Sequence, residues 1–159
     1  NYDKGTFPWE HAWKSSPLED ENAAPRGVQL EVSLNFFKIF DVNIANSVVD
    51  IIVWFRLRWK DPRLMWDPKD YGNQTKTGFW IGDGTGNGET SEIWTPDLEL
   101  WNLESSISES FSDAHAAVTS DGMVFWSRPG HIRPVCKLKG VNKFPFDELS
   151  CSMEIGSWI

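Results

Sequence analysis

From Leu30 onward apolar and polar residues alternate: Leu30, Val32, Leu34 and Phe36 share one parity, and Glu31, Ser33 and Asn35 the other. That two-residue period predicts a half-buried strand. The next segment repeats it more strongly. Val49, Ile51, Val53, Phe55, Leu57 and Trp59 form an unbroken apolar set, with Asp50, Ile52, Trp54, Arg56 and Arg58 between them. Side chains alternate across a strand, so burying the first set turns the second outward and leaves Trp54 on an outer face among polar and cationic neighbours. Further strands are predicted from Met123 to Ser127 and from Ser150 to the end, with Met153 and Ile155 on the buried parity and Ser152, Glu154 and Trp158 facing the other way. Asp67-Pro68, Tyr71-Gly72 and the glycine-rich run from Gly82 to Gly88 mark turns and a surface loop. Short strands, frequent turn signals and the lack of a helical stripe predict an all-β fold, an immunoglobulin-like β-sandwich. Residues 1–27, rich in Pro, Asp, Glu and Ser, predict a short N-terminal helix or irregular arm ahead of one sandwich domain over 28–159.

Composition narrows the function. The chain has 159 residues, 40% hydrophobic and 24% charged, too apolar for a disordered segment. Its formal charge of −8 argues against a nucleic-acid partner, which needs a basic face. The longest apolar run, Ile51 to Phe55, falls far short of the ~20 residues of a membrane-spanning helix. The chain opens without Met or a signal-peptide pattern and stops at Gly156-Ser157-Trp158-Ile159 without a cap, so it reads as a piece of something longer. The glycine-rich run does not fit the dinucleotide-binding spacing. It starts like a calcium loop at Asp83, but Trp94 stands where the twelfth-position Glu belongs. No metal or cofactor is expected. No paired carboxylates, metal cluster or nucleophile with a His partner stands out, so no enzyme is expected.

Cys136 and Cys151 are the only cysteines, and two cannot build a zinc site; His131 has no ligand-spaced partner. The pair reads as a disulfide, which in the chain-entropy account stabilises by about 3 kcal/mol for a loop of ~15 residues and implies an oxidising, extracellular setting. The sequon Asn73-Gln74-Thr75 agrees with that setting and makes Asn73 a candidate glycosylation site. Between the cysteines lies Phe144-Pro145-Phe146-Asp147. Its Phe side chains either fold back into the sandwich or present apolar surface to another body, and a small closed loop with little interior favours the second.

The segment from Cys136 to Cys151 with Phe144-Pro145-Phe146-Asp147 resembles the signature loop of the Cys-loop receptors, the pentameric ligand-gated ion channels. Four more motifs follow the family's order. Trp54 to Asp61 is similar to loop D, and Ile93-Trp94-Thr95-Pro96-Asp97 to the Trp-x-Pro-Asp motif. Asp121-Gly122 through Pro129-Gly130 is similar to loop E, and Ile155-Gly156-Ser157-Trp158 to the start of loop B. The resemblance implies most of an extracellular ligand-binding domain, without its last strands, loops F and C, and the four membrane helices. It implies a place on the extracellular face of the plasma membrane, neighbouring subunits in a pentamer, and the chain's own membrane-spanning domain as partners. The loop between the cysteines is one residue longer than usual for the family, with the excess between Lys137 and Lys143.

By the same resemblance the ligand site lies between subunits. One contributes Trp101 and Trp158, and its neighbour Trp54, Arg56, Phe125 and Ser127. Trp59, Trp66 and Trp94 are read as structural. A cation over an aromatic face gains about 0.5–2 kcal/mol per ring, so a small amine is the expected ligand. Trp54 resembles acetylcholine-binding members, whereas an Arg at position 56 resembles members that grip an amino-acid ligand's carboxylate, for which a planar donor fork is suited. Arg56 alternatively pairs with a surface acid such as Glu99 or Glu109 across the interface. The implied mechanism is a shift between closed and open states, transmitted through Phe144, Pro145, Phe146 and Asp147. Two alternatives remain: a soluble binding protein like the acetylcholine-binding proteins, and an orphan receptor with a non-transmitter ligand.

Overall fold

A computed structural model describes residues 2–8, 28–82, 91–104, 110–139, 146 and 148–157. Among them are nine strands: β1 (Glu31–Asn43), β2 (Val48–Lys60), β3 (Lys76–Ile81), β4 (Glu99–Leu100), β5 (Ala114–Thr119), β6 (Met123–Ile132), β7 (Lys137–Lys139), β8 (Glu148–Ser150) and β9 (Ile155–Gly156). The main sheet runs β1-β2-β6-β5-β3, and β4–β9 and β7–β8 form two-stranded ribbons. Every ladder is antiparallel. The architecture is the all-β one expected. The helix or arm expected over residues 1–27 lies mostly outside the described residues.

β2 follows its sequence pattern closely. Val53, Phe55, Leu57 and Trp59 are buried, while Trp54, Arg58 and Lys60 are exposed. The cause is its place in the sheet: both edges are hydrogen-bonded, to β1 and to β6, so only its two faces differ. Its inner face joins Val124, Trp126 and Ile132 of β6, Ala116 and Val118 of β5 and Ile81 of β3 in one core. Leu98, Leu100 and the half-buried Ile155 close the core, so the β4–β9 ribbon begins the second layer. Each large side chain buried there contributes about 1.5–3 kcal/mol.

The core also holds a cation. Arg128 of β6 faces inward opposite Phe55 and is only 1% exposed. Its guanidinium lies 3.9 Å from the Trp126 ring, 5.0 Å from Phe111 and 5.8 Å from Phe55. Burial pulls its pKa down to about 10, against the charge of Asp113, so it stays protonated at neutral pH.

Two expectations are corrected. β1 forms as predicted, but its apolar parity is not buried: Val32 is 36% and Phe36 62% exposed, leaving Leu34 half-buried. β1 is an edge strand, and register shifts between Phe36 and Lys38 and between Ile39 and Asp41 break its alternation. Phe37, Ile39, Phe40 and Val42 are exposed as well. The strand expected from Ser150 onward is interrupted: residues 151–154 are irregular, and Met153, given a buried parity, is exposed. Pairing with β7 and then with β4 engages the two ends of this segment separately, so no single alternation runs through it.

The first residues are clamped to the sandwich. Asp61, fully buried, accepts from Arg63 Nε at 2.8 Å, Arg63 Nη2 at 2.7 Å, the Arg63 amide at 3.0 Å and the Tyr2 hydroxyl at 2.9 Å. Arg63 Nη1 donates to the carbonyls of Asp3 and Thr6, and the guanidinium sits 4.6 Å from the Tyr2 ring. The Tyr2 oxygen accepts from the Trp94 amide at 2.9 Å, bracing the Trp94-Thr95-Pro96-Asp97 segment. Trp94 itself packs edge-on to Trp59 at 6.1 Å and against Phe7 at 5.8 Å, which fits its structural reading.

Candidate functional site

Antiparallel pairing sets directly opposed side chains on the same face. On the outer face of the main sheet this yields three rows across β1, β2 and β6. Asn35, Trp54 and Pro129 form the first; Ser33, Arg56 and Ser127 the second; Glu31, Arg58 and Phe125 the third. Trp54, Arg56, Phe125 and Ser127 therefore share one surface. Trp54 is 42% exposed, and the other three are half-buried.

The sequence did not single out what holds Arg56. With its amide oxygen toward the guanidinium, Asn35 accepts from Arg56 Nη1 at 2.8 Å and Nη2 at 3.2 Å. Arg56 Nε is buried and has no acceptor among the described residues. Arg56 is therefore held on its own strand pair by the neutral Asn35 amide, which takes two of its five N–H donors. Beside it Arg58 lies 5.0 Å from the Phe125 ring and 3.7 Å from the Glu31 carboxylate. Glu31, Ser33, Arg56, Arg58 and Phe125 line a cleft of about 190 Å³. The alternation that exposed Arg56 also exposes Ser33 and Asn35, so the signal was present, but the register joining them was not.

Trp101 belongs to the other layer. It follows β4, is 51% exposed, and its amide donates to the Glu154 carbonyl at 2.9 Å. The β4–β9 ladder sets Glu99 opposite Gly156 and Leu100 opposite Ile155. The Trp101 indole lies against Gly156, where a Cβ would collide with the ring. Asn102 ties the same segments through the Ser152 carbonyl and the Glu154 amide. The Trp101 segment and the Ile155-Gly156-Ser157 segment thus form one unit; Trp158 lies outside the described residues.

At the far end of the sheet the Cys136–Cys151 disulfide forms, with Cα atoms 4.5 Å apart. It closes the β7–β8 hairpin, and the Cys136 amide donates to the Ser47 carbonyl at 2.7 Å. The hairpin base is therefore joined to the β1–β2 turn, where Ile44 is exposed. Phe146 is 87% exposed; Phe144, Pro145 and Asp147 lie outside the described residues. Among the described residues no helix is long and apolar enough to cross a membrane, and no group of His, Cys, Asp and Glu is arranged to hold a metal.

A family model for the neurotransmitter-gated ion-channel ligand binding domain matches residues 10–159. The chain belongs to this family, that of the Cys-loop receptors. It is 36% identical over 137 residues, 86% of its length, to acetylcholine receptor subunit alpha-type acr-16 of Caenorhabditis briggsae. It is 33% identical over 131 residues, 82% of its length, to neuronal acetylcholine receptor subunit beta-2 of Rattus norvegicus. Rat neuronal acetylcholine receptor subunit alpha-10 is 32% identical over 131 residues. The chain spans about a quarter of the length of these relatives, 25%, 24% and 27% respectively. They are receptor subunits, not enzymes.

Proposed function

We propose that this Cys-loop receptor domain binds a small amine at the seam between neighbouring subunits of a pentamer, on the extracellular face of the plasma membrane. One subunit offers Trp101 and Trp158 as the aromatic floor. Its neighbour offers the outer face of β2 and β6, with Trp54, Arg56, Phe125 and Ser127. The ligand is zwitterionic: its ammonium lies against the indoles and its carboxylate against Arg56. A lone ammonium gains little beside two guanidiniums, whereas a carboxylate can take the Nη donors of Arg56 that Asn35 leaves unused. The Arg56 guanidinium, oriented by Asn35 on the same face as Trp54 and lining the cleft beside Arg58 and Phe125, is the observation that carries the reading.

Occupancy biases a closed–open equilibrium by differential contacts in the two states. The junction of the β7–β8 hairpin with the β1–β2 turn and the exposure of Phe146 support transmission through the Phe144-Pro145-Phe146-Asp147 loop to the chain's own membrane-spanning domain. The test is an agonist series on the full-length receptor. Arg56→Ala should weaken a carboxylate-bearing amine about 10–100-fold, the loss of a charge-assisted hydrogen bond, and leave a quaternary amine without a carboxylate nearly unchanged. An equal fold-change for both ligands, or none for the carboxylate-bearing one, would refute the zwitterion. Trp54→Ala should weaken both.

A further inference from the structure

The turn at Tyr71-Gly72-Asn73-Gln74-Thr75 is not used by the site above. Gly72 has φ 63° and ψ 33°, Asn73 has φ 62°, and the Gln74 amide donates to the Tyr71 carbonyl at 3.2 Å. Two successive left-handed residues closed by that bond are the mark of a type I′ turn, in which Gly and Asn are the favoured central residues. The turn holds all five residues in solvent, with Tyr71 64% exposed. The Asn73 backbone amide is engaged by the Pro68 carbonyl at 2.7 Å, but its side-chain amide has no partner among the described residues. Behind the turn the Trp66 indole donates to the Gln74 carbonyl at 2.7 Å. Trp66, Tyr71, Gln74 and Thr77 line a cleft of about 280 Å³. An acceptor asparagine thus stands on a rigid turn, two residues after an uncovered aromatic ring.

We propose that Asn73 carries an N-linked glycan whose innermost sugar packs on the Tyr71 ring at the mouth of the Trp66 cleft. In the transfer, Asn73 Nδ2 forms a bond to the anomeric carbon of an N-acetylhexosamine on a lipid-pyrophosphate donor. The bond from that carbon to the pyrophosphate oxygen breaks, and the lipid pyrophosphate leaves with the electron pair. Nδ2 loses one proton and remains an amide, with no redox change. The Thr75 hydroxyl completes the acceptor sequence. Once attached, the sugar sets its C–H face on the electron-rich face of Tyr71, covering apolar surface that water otherwise wets. The inference shares with the proposed function only passage through the secretory pathway, which the formed disulfide supports independently.

The full chain, secreted from a eukaryotic host, is compared as wild type, Thr75→Ala, Tyr71→Ala and Tyr71→Phe. Peptide mass should show hexosamine on Asn73 in the wild type and none in Thr75→Ala. With the glycan trimmed to one residue, Tm should exceed that of enzymatically deglycosylated protein by about 1–6 °C. Tyr71→Phe should keep that gain, and Tyr71→Ala should lose it. Should Tyr71→Ala not fold, a nuclear Overhauser contact between Tyr71 ring protons and the sugar decides in the wild type. A bare Asn73 in the secreted protein, a gain that survives Tyr71→Ala, or the lack of that ring contact would each overturn the proposal. None of these outcomes bears on ligand binding at Arg56.

Discussion

Replacing Asp61 tests the clamp between the chain's first residues and the sandwich. The Asp61 carboxylate is fully buried and receives four donors, three from Arg63 and one from Tyr2. Asp61→Ala leaves a buried guanidinium without its anion, a loss of about 3–5 kcal/mol. For a domain of this size that lowers Tm by about 6–20 °C, since each kcal/mol is worth roughly 2–4 °C. Asp61→Asn should recover little, because its amide turns a donor toward donors. Burial first, and the Asp61 charge with it, push the Tyr2 phenol above the usual tyrosine range. A raised phenol contributes stability that is present below its unfolded pKa of about 10 and is lost as pH climbs toward the folded value, so the variant should unfold less steeply with alkali. Urea unfolding at several pH values gives these numbers, and tryptic cleavage after Lys4 reports release of the first residues. A loss under about 1 kcal/mol, with Lys4 still protected, would refute the account of the network.

Three further predictions follow from particular contacts. Gly156→Ala drives a methyl into the Trp101 ring and should cost about 1–3 kcal/mol while changing Trp fluorescence and weakening ligand binding, whereas an unchanged spectrum would contradict the packing described. Arg128→Met should leave unfolding free energy within about 1 kcal/mol of wild type or raise it, because a buried charge is replaced by apolar volume; Arg128→Ala, opening a cavity among Phe55, Phe111 and Trp126, should cost about 3–5 kcal/mol. The Thr119 hydroxyl, with help from the Met123 amide, holds the Asp121 carboxyl below its ordinary value. Its stabilisation is present above the unfolded carboxylate pKa of about 3.9 and fades as pH falls through the lower folded value, so Asp121→Asn should flatten that acid limb in thermal melts.

The sequence carried the parity of β2 because that strand is flanked on both edges and buried on one face, the case in which alternation is least disturbed. The outer face bearing Trp54 and Arg56 followed from it. Cross-strand register is a tertiary property, so the Asn35 acceptor for Arg56 and the Ser33–Arg56–Ser127 row had no signature in the local pattern. Nor did the Trp101–Gly156 contact. β3 and β5 escaped because Gly78 interrupts one and small alanines dilute the other, removing the apolar contrast that marks a strand. Arg128 was hidden for the opposite reason: a charged residue at a buried parity reads as a surface position until the rings around it are seen. The chemistry between Cys136 and Cys151 was legible from spacing, but the junction with Ser47 needed coordinates.

β1 carries a consequence for handling the protein. Its rim away from β2 offers main-chain donors and acceptors with no strand beside them among the described residues, flanked by bare phenyl and branched aliphatic groups. Between Phe36 and Val42, Lys38, Asp41 and two kinks in register interrupt that strip. Two molecules meeting there can zip rim to rim, so turbidity in dilute buffer should report whether something has been laid over the rim.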